Sequence, residues 1–216
     1  MIDFDGPVCA VFGGIPAHSV AEQLRQVLVD GGLHELPASV TATSDPFDVL
    51  HFAATIGPEE ARYVEAAFTA HEVEAASTAT PTEGAHRLIR DWQAAGNRIA
   101  IVSNNSVLAI ETYLNLYDLR KSIDLVSARQ GPNTATLKPN PHLLLRAIAK
   151  FKAKPSDCVF IGDSVSDIEA AKAARVPSIG YANKPEKLST LAMADAITET
   201  MTNLIAESPS NSDQRN

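Results

Sequence analysis

Cysteine is nearly absent: the chain has only Cys9 and Cys158, far apart and without the spacing of metal ligands. This argues against a disulfide framework or a thiolate metal centre, and two buried free thiols in a reducing compartment are expected. Positive charge is also scarce. With 18 Lys and Arg against 26 Asp and Glu, the net charge is −8, so no broad basic field is available for nucleic acid. A small anionic substrate stays open, because a metal ion and one or two lysines can reverse the potential locally. No window approaches the apolar length of a membrane span. Acidic residues begin at Asp3, so no basic leader with an apolar stretch opens the sequence, and a cytoplasmic protein is expected. There is no G-x-G-x-x-G, which argues against a dinucleotide enzyme.

What is present is an alternation of helix-like and strand-like segments from about residue 81. Thr80-Pro81-Thr82-Glu83 reads as a capping box with proline at the first helical position. Ala85, Leu88, Ile89 and Trp92 then recur on one helix face, and Gly96 supplies the stop. Ile99–Val102 and Cys158–Ile161 are unbroken apolar runs, the pattern of strands covered on both faces. Asn140-Pro141 opens another helix, with Leu144, Ala147, Ile148 and Phe151 on one face. The βαβα order predicts a doubly wound, Rossmann-like α/β core with a parallel sheet. Residues 14–81 differ. Val20, Leu24, Val27 and Leu28 mark one amphipathic helix, Asp45-Pro46 and Gly57-Pro58 start two more, and no strand interrupts them. The expected organisation is therefore a core of residues 1–13 and 82–207, an inserted all-helical cap at 14–81, and a polar, disordered tail at 208–216.

Four short segments fall where predicted strands end, which is where open α/β sheets bind ligands. Asp3-Phe4-Asp5-Gly6 offers two carboxylates before a glycine. Ser103-Asn104-Asn105 places a hydroxyl and amides before a helix over residues 107–116, whose free N–H groups and dipole favour phosphate. Lys138 is fixed before Pro139 and Pro141. Gly162-Asp163-Ser164-Val165-Ser166-Asp167 sets two carboxylates at the opening of a helix, where oxygen ligands suit a hard cation. Each segment alone also reads as ordinary structure: a solvated turn, an N-cap, a loop lysine, a capped helix.

The ordered set is more specific than any member. It resembles the haloacid dehalogenase superfamily, and the stretch from Val159 to Ala174 is similar to its phosphoglycolate phosphatase and β-phosphoglucomutase branch, whose small helical cap follows the first motif. The resemblance implies a phosphatase acting on small phosphorylated metabolites. Asp3 would be the nucleophile, forming an aspartyl phosphate, and Asp5 the general acid and base. Lys138 would neutralise charge, and Ser103 with the Asn104 amide would hold phosphate oxygens. Mg²⁺ would be held by Asp3, the Asp5 carbonyl and Asp163, with Asp167 in the outer sphere. Two features depart from the family: Pro7 stands where threonine is usual, and only Met1 and Ile2 precede Asp3, giving a short first strand.

Closure of the cap is expected to hinge at Gly13-Gly14 and at residues 77–82. His18, Arg25, His51 and Arg62 are its candidate substrate contacts. A phosphomutase on a sugar phosphate shares the whole apparatus and is the main alternative. A non-catalytic binding protein on the same fold is a weaker one, since every expected polar residue is present. A dehalogenase needs neither the second acid nor the metal, so Asp5, Asp163 and Asp167 favour phosphate. The sequence leaves open a monomer or a homodimer.

Overall fold

In the computed structural model, which describes residues 1–205, the unbroken apolar runs form a parallel sheet. Residues 1–3 lie at its centre. Ile2 bridges both Ile101 and Ile161 in parallel; its N–H donates to Ala100 O at 2.9 Å, and the Asp3 N–H donates to Ile161 O at 2.8 Å. These three residues serve as the first strand because both of its edges are paired. The predicted tail at 208–216 lies outside the described residues.

After this strand the chain forms β1 (Cys9–Ala10) and enters the helices α1 (Ala17–Asp30), α2 (Ala38–Ala42), α3 (Pro46–Ile56) and α4 (Pro58–Thr78). Their starts are local chemistry. Asp45 caps α3 by accepting the Phe47 N–H at 2.9 Å, and Pro46 and Pro58 occupy first-turn positions where no N–H is needed. Val20, Leu24 and Leu28 recur on the buried face of α1; Val27 packs at its edge. They meet Leu50, Val64 and Phe68 in a separate helical core. Each such fully buried side chain contributes ~1.5–3 kcal/mol.

The chain returns through β2 (Thr80–Pro81), antiparallel to β1 with Cys9 opposite Pro81 and Ala10 opposite Thr80. The expected capping box at residues 80–83 is therefore corrected. Thr80 and Pro81 are strand, the next helix α5 (Ala85–Ala94) starts after Gly84 in the left-handed region (φ 79°), and the Thr82 hydroxyl donates to Gly6 O at 2.6 Å instead. Pairing with β1 outcompetes the local capping preference, and proline is tolerated because a two-stranded pair is all edge.

The rest alternates strand and helix: β3 (Ala100–Ser106), α6 (Val107–Leu116), β4 (Leu125–Arg129), α7 (His142–Phe151), β5 (Phe160–Gly162), α8 (Val165–Ala174), β6 (Ser178–Tyr181), α9 (Pro185–Thr190) and β7 (Ala196–Thr198). Parallel pairing gives the strand order β4–β3–residues 1–3–β5–β6–β7. One face packs Ile101 and Ile161 against Leu88, Ile110 and Tyr113. The other packs Val102 and Phe160 against Leu144, Ala147 and Ala171. This is the doubly wound α/β core with a helical insertion that the sequence predicts. Cys9 is buried, but Cys158 is partly exposed, a correction to the expectation of two buried thiols. Among the described residues, no helix is long and apolar enough to cross a membrane.

Candidate active site

The four motif segments converge at the carboxyl ends of the central strands, around a cavity of about 560 Å³ lined by Asp3, Asp5, Ser103, Asn104, Lys138 and Asp163, among others. Asp3 ends the central strand and Asp163 directly follows β5. Gly6 lets the first segment fold back: its φ is 99°, and a Cβ there would sit 2.3 Å from Asp163 Oδ2. Gly162 has the same function on the other side, since its Cβ would meet the Asp167 side chain at 2.3 Å.

Lys138 is the hub. Its Nζ donates to Asp3 Oδ1 at 2.7 Å and to Asp167 Oδ1 at 2.6 Å, with all three side chains buried. The Asn104 side chain fixes the lysine's backbone at two points, accepting from Lys138 N at 2.8 Å and donating to Lys138 O at 3.0 Å. Asp167 is fully committed: its Oδ2 also accepts from the N–H groups of Asp163 and Ser164 and from the Ser164 hydroxyl, in a capping box at the start of α8. Ser103 Oγ donates to Asn105 Oδ1 at 3.0 Å.

One ammonium cannot neutralise two carboxylates, and the pKa values follow. Burial, then the Asp167 charge, pushes Asp3 up to about 7 against the pull of Lys138. Burial would lower Lys138, but Asp167 and Asp3 more than offset it and the lysine ends raised. Asp5 is raised to about 6, chiefly by burial; the Val11 N–H that bonds its Oδ1 at 2.9 Å opposes this. Asp163 is raised by burial and held back by an ion pair with Lys187 of α9. Donor atoms of Asp3, Asp163 and Asp167 lie within 4.8 Å of one another. An all-oxygen, acidic donor set of this kind fits Mg²⁺.

Of the cap residues singled out in the sequence, only His51 lines the cavity. Arg25 bonds Val40 O and Thr43 O, Arg62 pairs with Glu59, and His18 is exposed outside the lining. Sequence reasoning missed a second buried cluster just behind Asn104. Arg129 donates to Asn104 O at 3.1 Å and pairs with Glu65 and Glu72 of α4, while Glu72 also accepts from Asn105 Nδ2 and Ser106 N, both at 3.0 Å. Glu72 continues the buried stripe of Val64 and Phe68. A charge on an apolar stripe is the signal that would have found it.

A parallel α/β sheet with an acidic, lysine-centred site at its carboxyl edge defines a hydrolase-type architecture, and comparison with known proteins agrees. The profile described as haloacid dehalogenase-like hydrolase matches residues 10–175, and the chain belongs to that family. Asp3 and Asp5 precede the matched segment and are brought to the site by the geometry above. A phosphoglycolate phosphatase of Xylella fastidiosa is 32% identical over 127 residues, 57% of this chain and 54% of that protein. A bifunctional riboflavin kinase/FMN phosphatase of Arabidopsis thaliana is 30% identical over 125 residues, 57% of this chain and 32% of that protein. The matches thus span about half or less of these relatives. Among solved structures, CbbY of Rhodobacter sphaeroides in complex with phosphate superposes with a TM-score of 0.67 at 20% identity, over 94% of both chains. A subfamily IA HAD-superfamily hydrolase of Geobacter sulfurreducens gives 0.62 at 18%, over 94% of this chain and 95% of the other. At these identities the superpositions establish the fold.

Proposed function

We propose that the chain is a Mg²⁺-dependent phosphatase that hydrolyses small-molecule phosphate monoesters through an aspartyl phosphate on Asp3. The observation that carries this reading is the buried Asp3–Lys138–Asp167 triad, open through Asp3 and Lys138 to the same cavity as Ser103 and Asp163. An Asp3 oxygen attacks phosphorus as the ester P–O bond breaks, and Lys138 offsets the repulsion between carboxylate and phosphoryl oxygens. Asp5, raised to about 6, gives its proton to the leaving oxygen. It then takes one from the water that cleaves the acyl phosphate, which restores Asp3. The Ser103 hydroxyl and the Asn104 amide hold phosphate oxygens. Asp3, the Asp5 carbonyl and Asp163 would hold Mg²⁺, which supplies charge neutralisation to the phosphoryl group. Asp167, with both oxygens committed, orients Lys138 and the Asp163 loop.

In this reading residues 14–81 act as a cap over the cavity, with the β1–β2 pair marking its base and the Glu72–Arg129 pair holding the end of α4 to the core. Relatives named for phosphoglycolate and FMN support a small phosphorylated metabolite as the substrate, and a cytoplasmic location suits the free thiols. The test is inorganic phosphate release from a panel of phosphate monoesters with Mg²⁺ or with EDTA. Release that needs Mg²⁺ and vanishes in Asp3→Asn is the expected result. Activity retained in Asp3→Asn refutes the nucleophile, and isomerised product without free phosphate points to a mutase.

A further inference from the structure

The wall of the cavity facing the catalytic aspartates comes from the helical layer and includes Phe12, Ser44, Asp45, Phe47, Asp48 and His51. Whatever leaves with the ester oxygen must rest against it. α3 starts at this wall, and a bare helix start would be an anion site. Here that site is already filled. The Asp45 carboxylate accepts the Phe47 N–H at 2.9 Å, and Asp48 stands in the first turn, accepting the Thr43 hydroxyl at 2.6 Å. Two carboxylates together outweigh the roughly half charge of the helix end, even with Asp45 raised by burial and by the Asp48 charge.

Among the described residues, no lysine or arginine forms an ion pair with either carboxylate. Among the described residues that line the cavity, Lys138 is the only lysine or arginine, and its ammonium serves Asp3 and Asp167. Arg25 is used by two backbone carbonyls, and Arg62 by Glu59 and the ring of Tyr63. Burial raises the Asp45 carboxyl, and the nearby His51 pulls it the other way.

We propose that the cavity selects phosphate monoesters whose leaving group carries no negative charge, favouring an ammonium-bearing alcohol and accepting a neutral hydroxylated one, and discriminates against a carboxylate or second phosphate. This rests on the phosphatase reading above. An ammonium gains charge-assisted hydrogen bonds from Asp45 and Asp48 and attraction to the rings of Phe12 and Phe47. A carboxylate at the same place meets two like charges and, among the described residues that line the cavity, no lysine or arginine free to receive it.

The test uses three esters of matched size, 2-aminoethyl phosphate, 2-hydroxyethyl phosphate and carboxymethyl phosphate, with p-nitrophenyl phosphate as a generic ester, all with Mg²⁺. The expected order of kcat/KM is aminoethyl, then hydroxyethyl, then carboxymethyl, with at least about tenfold between first and last. Asp48→Lys should shift the carboxymethyl-to-aminoethyl ratio upward by at least about tenfold, and Asp48→Asn should shift it the same way by less. A ratio taken within one variant cancels changes in folding or in the chemical step. If p-nitrophenyl phosphate is hydrolysed and the carboxymethyl ester is turned over as well as the aminoethyl ester, the selectivity is overturned and the phosphatase reading stands. If none of the four esters releases phosphate, the phosphatase reading fails and the selectivity fails with it.

Discussion

The molecule contains two buried clusters with the same charge count, one cation between two carboxylates: Lys138 with Asp3 and Asp167, and Arg129 with Glu65 and Glu72. They differ in what is left over. Arg129 presents a flat fork of donors, and every nitrogen has a partner: Asn104 O, Glu65 with Thr69, and Glu72. Glu72 in turn bonds Asn105 and Ser106, and the guanidinium lies 4.8 Å from the centre of the Phe68 ring. That cluster is saturated and fastens α4 to the end of β3. Lys138 is a point charge, and its partner Asp3 borders the cavity with a carboxyl raised to about 7. Burial raises a carboxyl in each cluster, Asp3 in one and Glu72 in the other, but only Asp3 borders the cavity, and that access marks the reactive cluster.

Breaking each cluster should therefore fail differently. Arg129→Met leaves Glu72 buried and unpaired and should cost about 3–5 kcal/mol of stability, read by denaturant unfolding, while the rate per folded molecule changes little. Converting Glu72 to Leu in the same chain should recover much of that loss. Lys138→Met should lower kcat/KM by ~10²–10³, about 2.7–4 kcal/mol in the barrier. A drop below about threefold would remove it from the charge-neutralising role. The smallest effect is on pH dependence without metal. A carboxyl raised from 3.8 to about 7, as Asp3 is, contributes stability present below its unfolded pKa and lost as pH rises through about 7. The metal-free protein should thus lose on the order of 2 kcal/mol, a few degrees in Tm, between pH 5 and 7.5. Asp3→Asn should blunt this loss, and Mg²⁺ should raise Tm more at pH 7.5 than at pH 5.

The two clusters also show what a sequence displays. The reactive one was legible because its members sit beside a glycine, a proline or a helix start, and those local signals recur in a fixed order. In residues 14–81, α1 was legible from its apolar spacing and α3 and α4 from Asp45-Pro46 and Gly57-Pro58, where proline takes a first-turn position, while the short α2 carries no such signal. Thr80-Pro81 carries a similar signal and failed, because its partner is β1, some seventy residues earlier. The Arg129 cluster joins residues 57 and 64 positions apart, and nothing near Arg129 in sequence announces it. The acidic cap wall was hidden differently. Asp45 reads as a helix-start residue, which it is, and only folding brings it and Asp48 into the lining of the cavity.

The most direct test of the account is to find the phosphoryl group on the protein. Asp5→Asn removes the base needed to hydrolyse the acyl phosphate, and p-nitrophenyl phosphate needs little acid help to leave. Acid quenching of that variant during turnover with Mg²⁺, followed by borohydride reduction and peptide mapping, should show homoserine at position 3. A phosphorylated residue elsewhere, or steady phosphate release with Asp3 never modified, would contradict it.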